Sequence, residues 1–271
     1  MTGTKRDVLV LQPRDDRLLR ELATLRVIDR EQATRVGPFG STTRANTRLL
    51  ALTTHGLLTR QAVGTVAGGH KYLYALTASG ARRVDVPYRG TPWTRDALLA
   101  GSVGLEHQLR VNAVYLLLTH ESIPVPGVRV RHWRNFTHPL SPAVRLIPDG
   151  YVELEGPSGT RAFFLEVDRG TESRRTWIGK AREYLRFAVS GAFTTQFGHG
   201  QFGVLVIAPS TRRVHSLRAA VAGVTTKLFW FGSFEVLRAD TFWTPIWWRP
   251  SGTERHPLMP LPCAIAPTAG T

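Results

Sequence analysis

Ser41-Thr-Thr-Arg-Ala-Asn-Thr-Arg-Leu-Leu-Ala-Leu-Thr-Thr-His55 is the stretch that decides how this chain is read. Ser41 can cap a helix that runs to about His55. Ala45, Leu49 and Leu52 stand at i, i+4 and i+7, one stripe that packs inward. Arg44, Arg48 and His55 fall on a neighbouring outward stripe. Thr42, Thr43, Asn46 and Thr47 complete a polar face, and no acid occurs from Ser41 to His55. An apolar back and a front of Arg, Asn and Thr is what a helix needs to enter the major groove and bond bases and phosphates.

Toward the N-terminus, Asp15 to Leu25 predicts a helix with Leu18, Leu22 and Leu25 on one face. Asp29 can cap a second, short helix, Arg30 to Val36, with Gln32 three residues on as in a capping box. Gly37-Pro-Phe-Gly40 breaks it. Toward the C-terminus, Gly56-Leu57-Leu58 turns the chain into a strand. Gly64 and Gly68-Gly69 mark a hairpin tip, and Tyr72, Tyr74 and Leu76 alternate as the returning strand. Thr77-Ala-Ser-Gly80 opens another helix. Three helices and a hairpin with basic ends predict a winged helix-turn-helix over residues 1–86. Its expected DNA contacts are Thr42, Thr43, Arg44, Thr47, Arg48, Arg60 and Lys71, with His70 beside them on the wing.

The whole chain fits that reading electrostatically. It has 271 residues, and 35 Lys and Arg stand against 20 Asp and Glu, a formal net charge of +15. Such a balance attracts polyanions, nucleic acid first. A GC-rich genome also inflates arginine, so charge by itself is a weak guide. The single cysteine, Cys263, forms no intramolecular disulfide, which fits a reducing, cytoplasmic setting. Met1 to Asp7 is polar and mixed in charge, not a secretory signal. No run of about 18 apolar residues occurs, so no membrane partner is expected.

Pro87-Tyr-Arg-Gly-Thr-Pro-Trp93 interrupts the pattern, and residues 87–96 are expected to be a linker. A second, α/β domain is expected over 97–240, followed by a Trp- and Pro-rich tail, 241–271. Its elements read as a helix from Ser102 to Thr119 (Leu105, Leu109 and Leu116 inward), then strands at Val128–Trp133, Val144–Leu154 and Ala162–Asp168. A helix from Ser173 to Ser190 carries Trp177, Ala181, Tyr184 and Ala188 inward. A strand at Phe202–Ile207, a helix at Ser210–Gly223 and a last strand at Phe234–Leu237 complete a central mixed sheet.

Glu166 and Asp168 are two apart at the end of an apolar strand, so both face one side of the sheet. Asp149 approaches from the neighbouring strand. Three convergent carboxylates would make a hard oxygen site for Mg²⁺ or Mn²⁺. Lys180, on the following helix, can reach the same place and neutralise phosphate charge, and Glu106 is a further acid. The catalytic set expected from the sequence is therefore Asp149, Glu166, Asp168 and Lys180, with the first three as metal ligands. The alternative reading is that Asp168-Arg169 and Glu172-Arg174-Arg175 are salt-bridged loop charges, and that Asp149-Gly150 is a turn.

The order of helix, strands with Pro148-Asp149, strand with Glu166-x-Asp168, and helix resembles the PD-(D/E)xK nuclease superfamily. The whole chain, from about residue 10 to 250, resembles the replication-relaxation proteins of plasmids. The carrying segments are Asp16-Arg-Leu-Leu-Arg-Glu-Leu22, Leu57-Leu58 with Tyr74-Ala-Leu-Thr77, Leu105-Glu-His107 with Asn112, Pro148-Asp149, and Phe164-Leu-Glu-Val-Asp-Arg-Gly-Thr-Glu-Ser173. The resemblance implies a winged helix joined to a nuclease-like domain, acting on double-stranded DNA in plasmid or mobile-element replication, relaxation or transfer. It implies a Mg²⁺-dependent endonuclease or nickase if the second domain is catalytic. The sequence departs from the superfamily where the D/E-x-K lysine should stand, because that position is Asp168; Lys180 is the substitute. The alternative is a non-catalytic regulator whose second domain serves homodimerisation or contact with replication or transfer proteins. Other chemistries lack their signatures: there is no zinc spacing, no Gly-x-x-x-x-Gly-Lys-Ser/Thr loop and no Gly-x-Ser-x-Gly elbow.

Overall fold

The computed structural model describes residues 9–64, 68–93 and 103–259. It holds a mixed α and β chain in two compact units, Met1–Leu116 and Leu117–Thr271. Cys263, the start of the chain and the end of the Trp/Pro-rich tail lie outside the described residues.

In the first unit, α1 (Pro13–Leu25), β1 (Ile28–Asp29), α2 (Arg30–Val36) and α3 (Thr42–Thr54) precede a hairpin of β2 (Leu58–Gly64) and β3 (His70–Leu76). The helices begin where the sequence supplies acceptors for orphan amides. Asp29 accepts from the Gln32 amide at 2.9 Å, and Ser41 from the Arg44 amide at 3.2 Å. Gln12 and Asp15 form the capping box of α1. β1 adds to the hairpin, giving an antiparallel sheet of order β1-β3-β2. Leu18, Leu22, Leu25, Ala45, Leu49 and Leu52 are all buried, as the helical spacing demands.

Two further helices belong here among the described residues. In α4 (Ala78–Arg83), Gly80 is fixed by packing, since a Cβ there would meet the Leu57 carbonyl oxygen at 2.2 Å. The other, α5 (Val103–Thr119), departs from expectation. Its early turns belong to the first unit, and the division falls at Leu116, later than the 87–96 segment. Leu105 and Leu109 pack with Val27, Val63 and Leu73. Buried polar bonds fasten the join. Gln32 donates to the Leu109 carbonyl at 2.7 Å, and buried Asn112 donates to the carbonyls of Leu25 and Val27 at 3.1 and 2.6 Å. The sequence misled because the leucine spacing shows that α5 has an inner face, not which core receives it.

The second unit is built on a seven-stranded sheet of order β10-β9-β8-β7-β6-β5-β4. Its strands are β4 (Arg129–Arg134), β5 (Gly150–Gly156), β6 (Gly159–Val167), β7 (Gly203–Ala208), β8 (Phe229–Ser233), β9 (Trp247–Trp248) and β10 (Arg255–His256). β6, β7 and β8 run parallel; the other pairs are antiparallel. α6 (Arg174–Val189), α7 (Ala192–Phe197) and α8 (Thr211–Ala222) supply the crossovers that parallel strands require. Trp177, Ala181, Tyr184 and Phe187 of α6 bury against Phe164, Val204, Val206, Phe229 and Phe231 of the sheet. The last parallel strand is Phe229–Ser233, not Phe234–Leu237: the alternation of Phe229 and Phe231 fills the core, and the chain turns after Ser233. The tail adds β9 and β10 to the sheet edge.

Candidate functional sites

The outward face of α3 carries Thr42, Thr43, Arg44, Asn46 and Thr47, all exposed. Arg44 has no side-chain partner among the described residues. Leu50, one turn on, is 47% exposed beside this face. A groove of about 640 Å³ separates this face from the hairpin. Asn46, Thr47 and Leu50 line one wall; Arg60, His70, Lys71 and Tyr72 line the other, and Asp29, Arg30 and Glu31 the end. The Arg60 guanidinium lies 4.4 Å from the Tyr72 ring centre. That stacking, with a hydrogen bond to the Tyr74 side chain, holds the cation in place at the groove.

Arg48 is placed differently from its neighbours. Its guanidinium bonds both carboxylate oxygens of Asp15, one at 2.9 Å, and also the Val10 carbonyl at 2.7 Å. Asp15 is fully buried, and Arg48 keeps only 16% of its side chain exposed. The hydrogen bonds and field of Asp15 hold the guanidinium's pKa above its ordinary value, against the lowering effect of burial. Arg48 therefore locks α1 to α3, and its cation is spent inside the unit. The sequence put it on the outward stripe because helical spacing cannot see an acid 33 residues away.

In the second unit the parity argument holds, but the three carboxylates do not gather. Glu166 and Asp168 both face the helical layer, and different helices claim them. Glu166 is buried and accepts from the Tyr184 hydroxyl at 2.6 Å and from Lys180 Nζ at 2.9 Å. Lys180 also bonds Glu172 at 3.0 Å. Asp168, equally buried, accepts from Arg213 Nε at 2.7 Å and Nη2 at 3.1 Å, and from the Gly170 amide at 3.0 Å. Arg213 donates in addition to the Glu172 carbonyl at 2.6 Å. Asp149 accepts from the Val167 amide at 2.7 Å, fastening the start of β5 to the end of β6. Glu106 is exposed on α5, in the first unit.

These contacts set the charge states. Burial pushes the Glu166 carboxyl up to about 7, aided by the nearby Asp149 charge and opposed by Lys180 and Tyr184. Burial works to lower the Lys180 ammonium, and the field and hydrogen bonds of Glu166 and Glu172 outweigh it, leaving the group well above its usual value. Burial, then Glu166 and the Asp149 charge, also drive the Tyr184 hydroxyl upward, so it remains a donor. No group of three or more His, Cys, Asp or Glu side chains among the described residues is arranged to hold a metal ion. The set proposed for Mg²⁺ does not fit that ion here. Glu166 has both oxygens engaged by protein donors, and Asp168 is neutralised by a bidentate arginine.

Sequence reasoning missed Tyr184, Glu172, Arg213 and Asp15 as members of these networks. One signal was available: Tyr184 follows Lys180 by four residues, the spacing that puts two side chains on the same helical face. Arg213 lies 45 residues from Asp168 and carried no such signal.

The arrangement is that of a helical unit with a strand hairpin, next in sequence to a mixed sheet with parallel crossovers. The chain matches the family model described as replication-relaxation over residues 19–205, well over half of its length, and it belongs to that family. Neither a curated protein nor a solved structure matches it. No helix among the described residues is long and apolar enough to cross a membrane.

Proposed function

We propose that this chain is a DNA-binding protein acting in plasmid or mobile-element replication, relaxation or transfer, and that its first unit is a winged helix-turn-helix. The carrying observation is the exposed, acid-free face of α3 beside a hairpin bearing Arg60, His70 and Lys71. α3 would enter the major groove with Thr42, Thr43, Arg44, Asn46 and Thr47 toward bases and phosphates, and the hairpin would follow the backbone. The family's description supports the replication theme. In the full chain, Arg44→Ala should weaken duplex binding by about 1–3 kcal/mol if the side chain reads a base. Lys71→Ala should weaken it regardless of sequence and reduce the salt dependence. Anisotropy titrations on duplex DNA measure both; two unchanged variants would remove this face from the interface.

For the second unit we propose a PD-(D/E)xK-like fold whose acidic positions serve structure rather than metal binding, making the protein a non-catalytic regulator. The ion pairs of Glu166 and Asp168 support this. One observation favours a second reading, a Mg²⁺-dependent nickase: Lys180 does reach Glu166, as a lysine displaced onto the following helix should. Incubating supercoiled and single-stranded DNA with Mn²⁺ separates the two. Cleavage abolished by Glu166→Gln and Lys180→Met would establish the nickase.

A further inference from the structure

The solvent face of the second unit's helical layer is a surface of unspent arginines. On α6, Arg174, Arg175 and Arg182 are exposed, and on α8 so is Arg212. None of the four has a partner among the described residues. The acids nearby are already used. Glu183, the one acid within α6, is bonded by Arg186 at 2.7 Å, Glu172 by Lys180, and Asp168 by Arg213. Glu235 accepts from the Thr211 amide at the start of α8, and α8 contains no acid. The internal pairing leaves the outer surface with a one-sided charge.

A second, independent feature marks the same stripe. Gly179 sits in the middle of α6, four residues after Arg175 and three before Arg182, on the same outward side. Mid-helix glycine is unfavourable, and it is usually kept where something approaches the backbone closely. At Gly80 that neighbour is within the fold. At Gly179 a Cβ would meet nothing within 4 Å, so packing inside the unit does not account for it. The space is open on the outside, between two arginines about 10 Å apart along the helix axis.

We infer that the α6 face centred on Gly179, flanked by Arg175 and Arg182 and extended by Arg174 and Arg212, is a second docking surface for the phosphate backbone of DNA. Guanidinium groups on either side would clasp phosphates, and the missing side chain at Gly179 would let the sugar-phosphate chain lie against the helix. The surface is built from other residues than the α3 face, so one chain would hold DNA through two sets of cations.

The test uses the full chain and a long duplex, with affinity measured across salt concentrations. Removing two phosphate contacts in the Arg175→Ala, Arg182→Ala double variant should reduce the slope of log K against log salt by about two. Gly179→Leu should weaken binding severalfold while the melting temperature holds or rises, because leucine favours the helix. A folding defect would lower both, so this pairing isolates the steric effect. Unchanged slope and affinity in both variants would overturn the proposal. So would loss of binding to anionic phosphatidylserine vesicles with DNA binding intact, which would assign the face to a membrane surface. The Arg44→Ala, Lys71→Ala variant measured in parallel separates the two readings: if it binds normally and the α6 variants do not, only the α3 proposal falls.

Discussion

The α3 face and the β6–α6 corner use similar residues to opposite ends. At α3, Arg44 stands without an acid, while its neighbour Arg48 is consumed by buried Asp15. At the β6–α6 corner, Lys180 and Arg213 are both consumed, by Glu166 with Glu172 and by Asp168. A cation that meets a buried carboxylate becomes a structural brace, because removing either partner strands a charge in low dielectric. A cation left in water stays available for a phosphate. Net charge alone does not distinguish these fates; partner geometry does.

The strongest way to break this comparison is to ask whether the free cations of the first unit work without the second. A fragment of residues 1–119 should fold and retain salt-sensitive duplex binding. The fragment 1–86 should fail to fold cooperatively. It loses Leu105 and Leu109, which pack with Val27, Val63 and Leu73, and the bonds from Asn112 to the carbonyls of Leu25 and Val27, so an apolar face of the unit is left in water. Burying a leucine side chain contributes about 1.5–3 kcal/mol, a large share of a small unit's stability. Circular dichroism melts of the two fragments check this, and a cooperative melt for 1–86 would refute the role given to α5.

Arg48→Ala should come next in size, lowering stability by about 3 kcal/mol, since it abandons Asp15 in the interior. Urea unfolding measures it. Replacing the pair together, Asp15→Leu with Arg48→Met, should recover most of the loss. If Arg48→Ala instead unfolds like the wild type and binds DNA poorly, the residue belongs with Arg44, and the division between spent and free cations fails at its first example.

What was legible from sequence follows the range of the interactions. The helices of the first unit, their caps at Asp29 and Ser41, and the pairing of the hairpin strands rest on contacts a few residues apart, and they stand in the structure as read. The parity of Glu166 and Asp168 was equally local. Their partners were not. Lys180 is one short crossover from Glu166 and was foreseen as reaching it, but Arg213 arrives only after another strand and helix. The division inside α5, at Leu116 rather than at 87–96, has the same cause. Amphipathic spacing shows that a face is buried, while the core that buries it is fixed by contacts such as Gln32 to Leu109, 77 residues apart.

A pH-dependent effect bears on how completely Glu166 is spent. Burial raises its carboxyl to about 7 in the folded chain, against an ordinary 4.5. The native state then holds a proton between those values that the unfolded chain has released, so this group's stabilising contribution is fully present below about pH 4.5 and fades as pH rises through about 7. Lys180, Tyr184 and Asp149 all face the group, and the first two oppose the shift. A shift of that size corresponds to a change of about 3 kcal/mol at most across the window. Glu166→Gln removes the titration and keeps one acceptor oxygen, for Lys180; its amide nitrogen takes the place of the oxygen that accepts from Tyr184, whose hydroxyl can accept in turn. The wild-type stability minus that of the variant, from urea unfolding at each pH, should therefore fall between pH 4.5 and 7. A difference that grows with pH would mean that Lys180 keeps Glu166 ionised below the ordinary carboxylate range. The corner would then be a permanent ion pair, as tightly closed as Asp168 with Arg213.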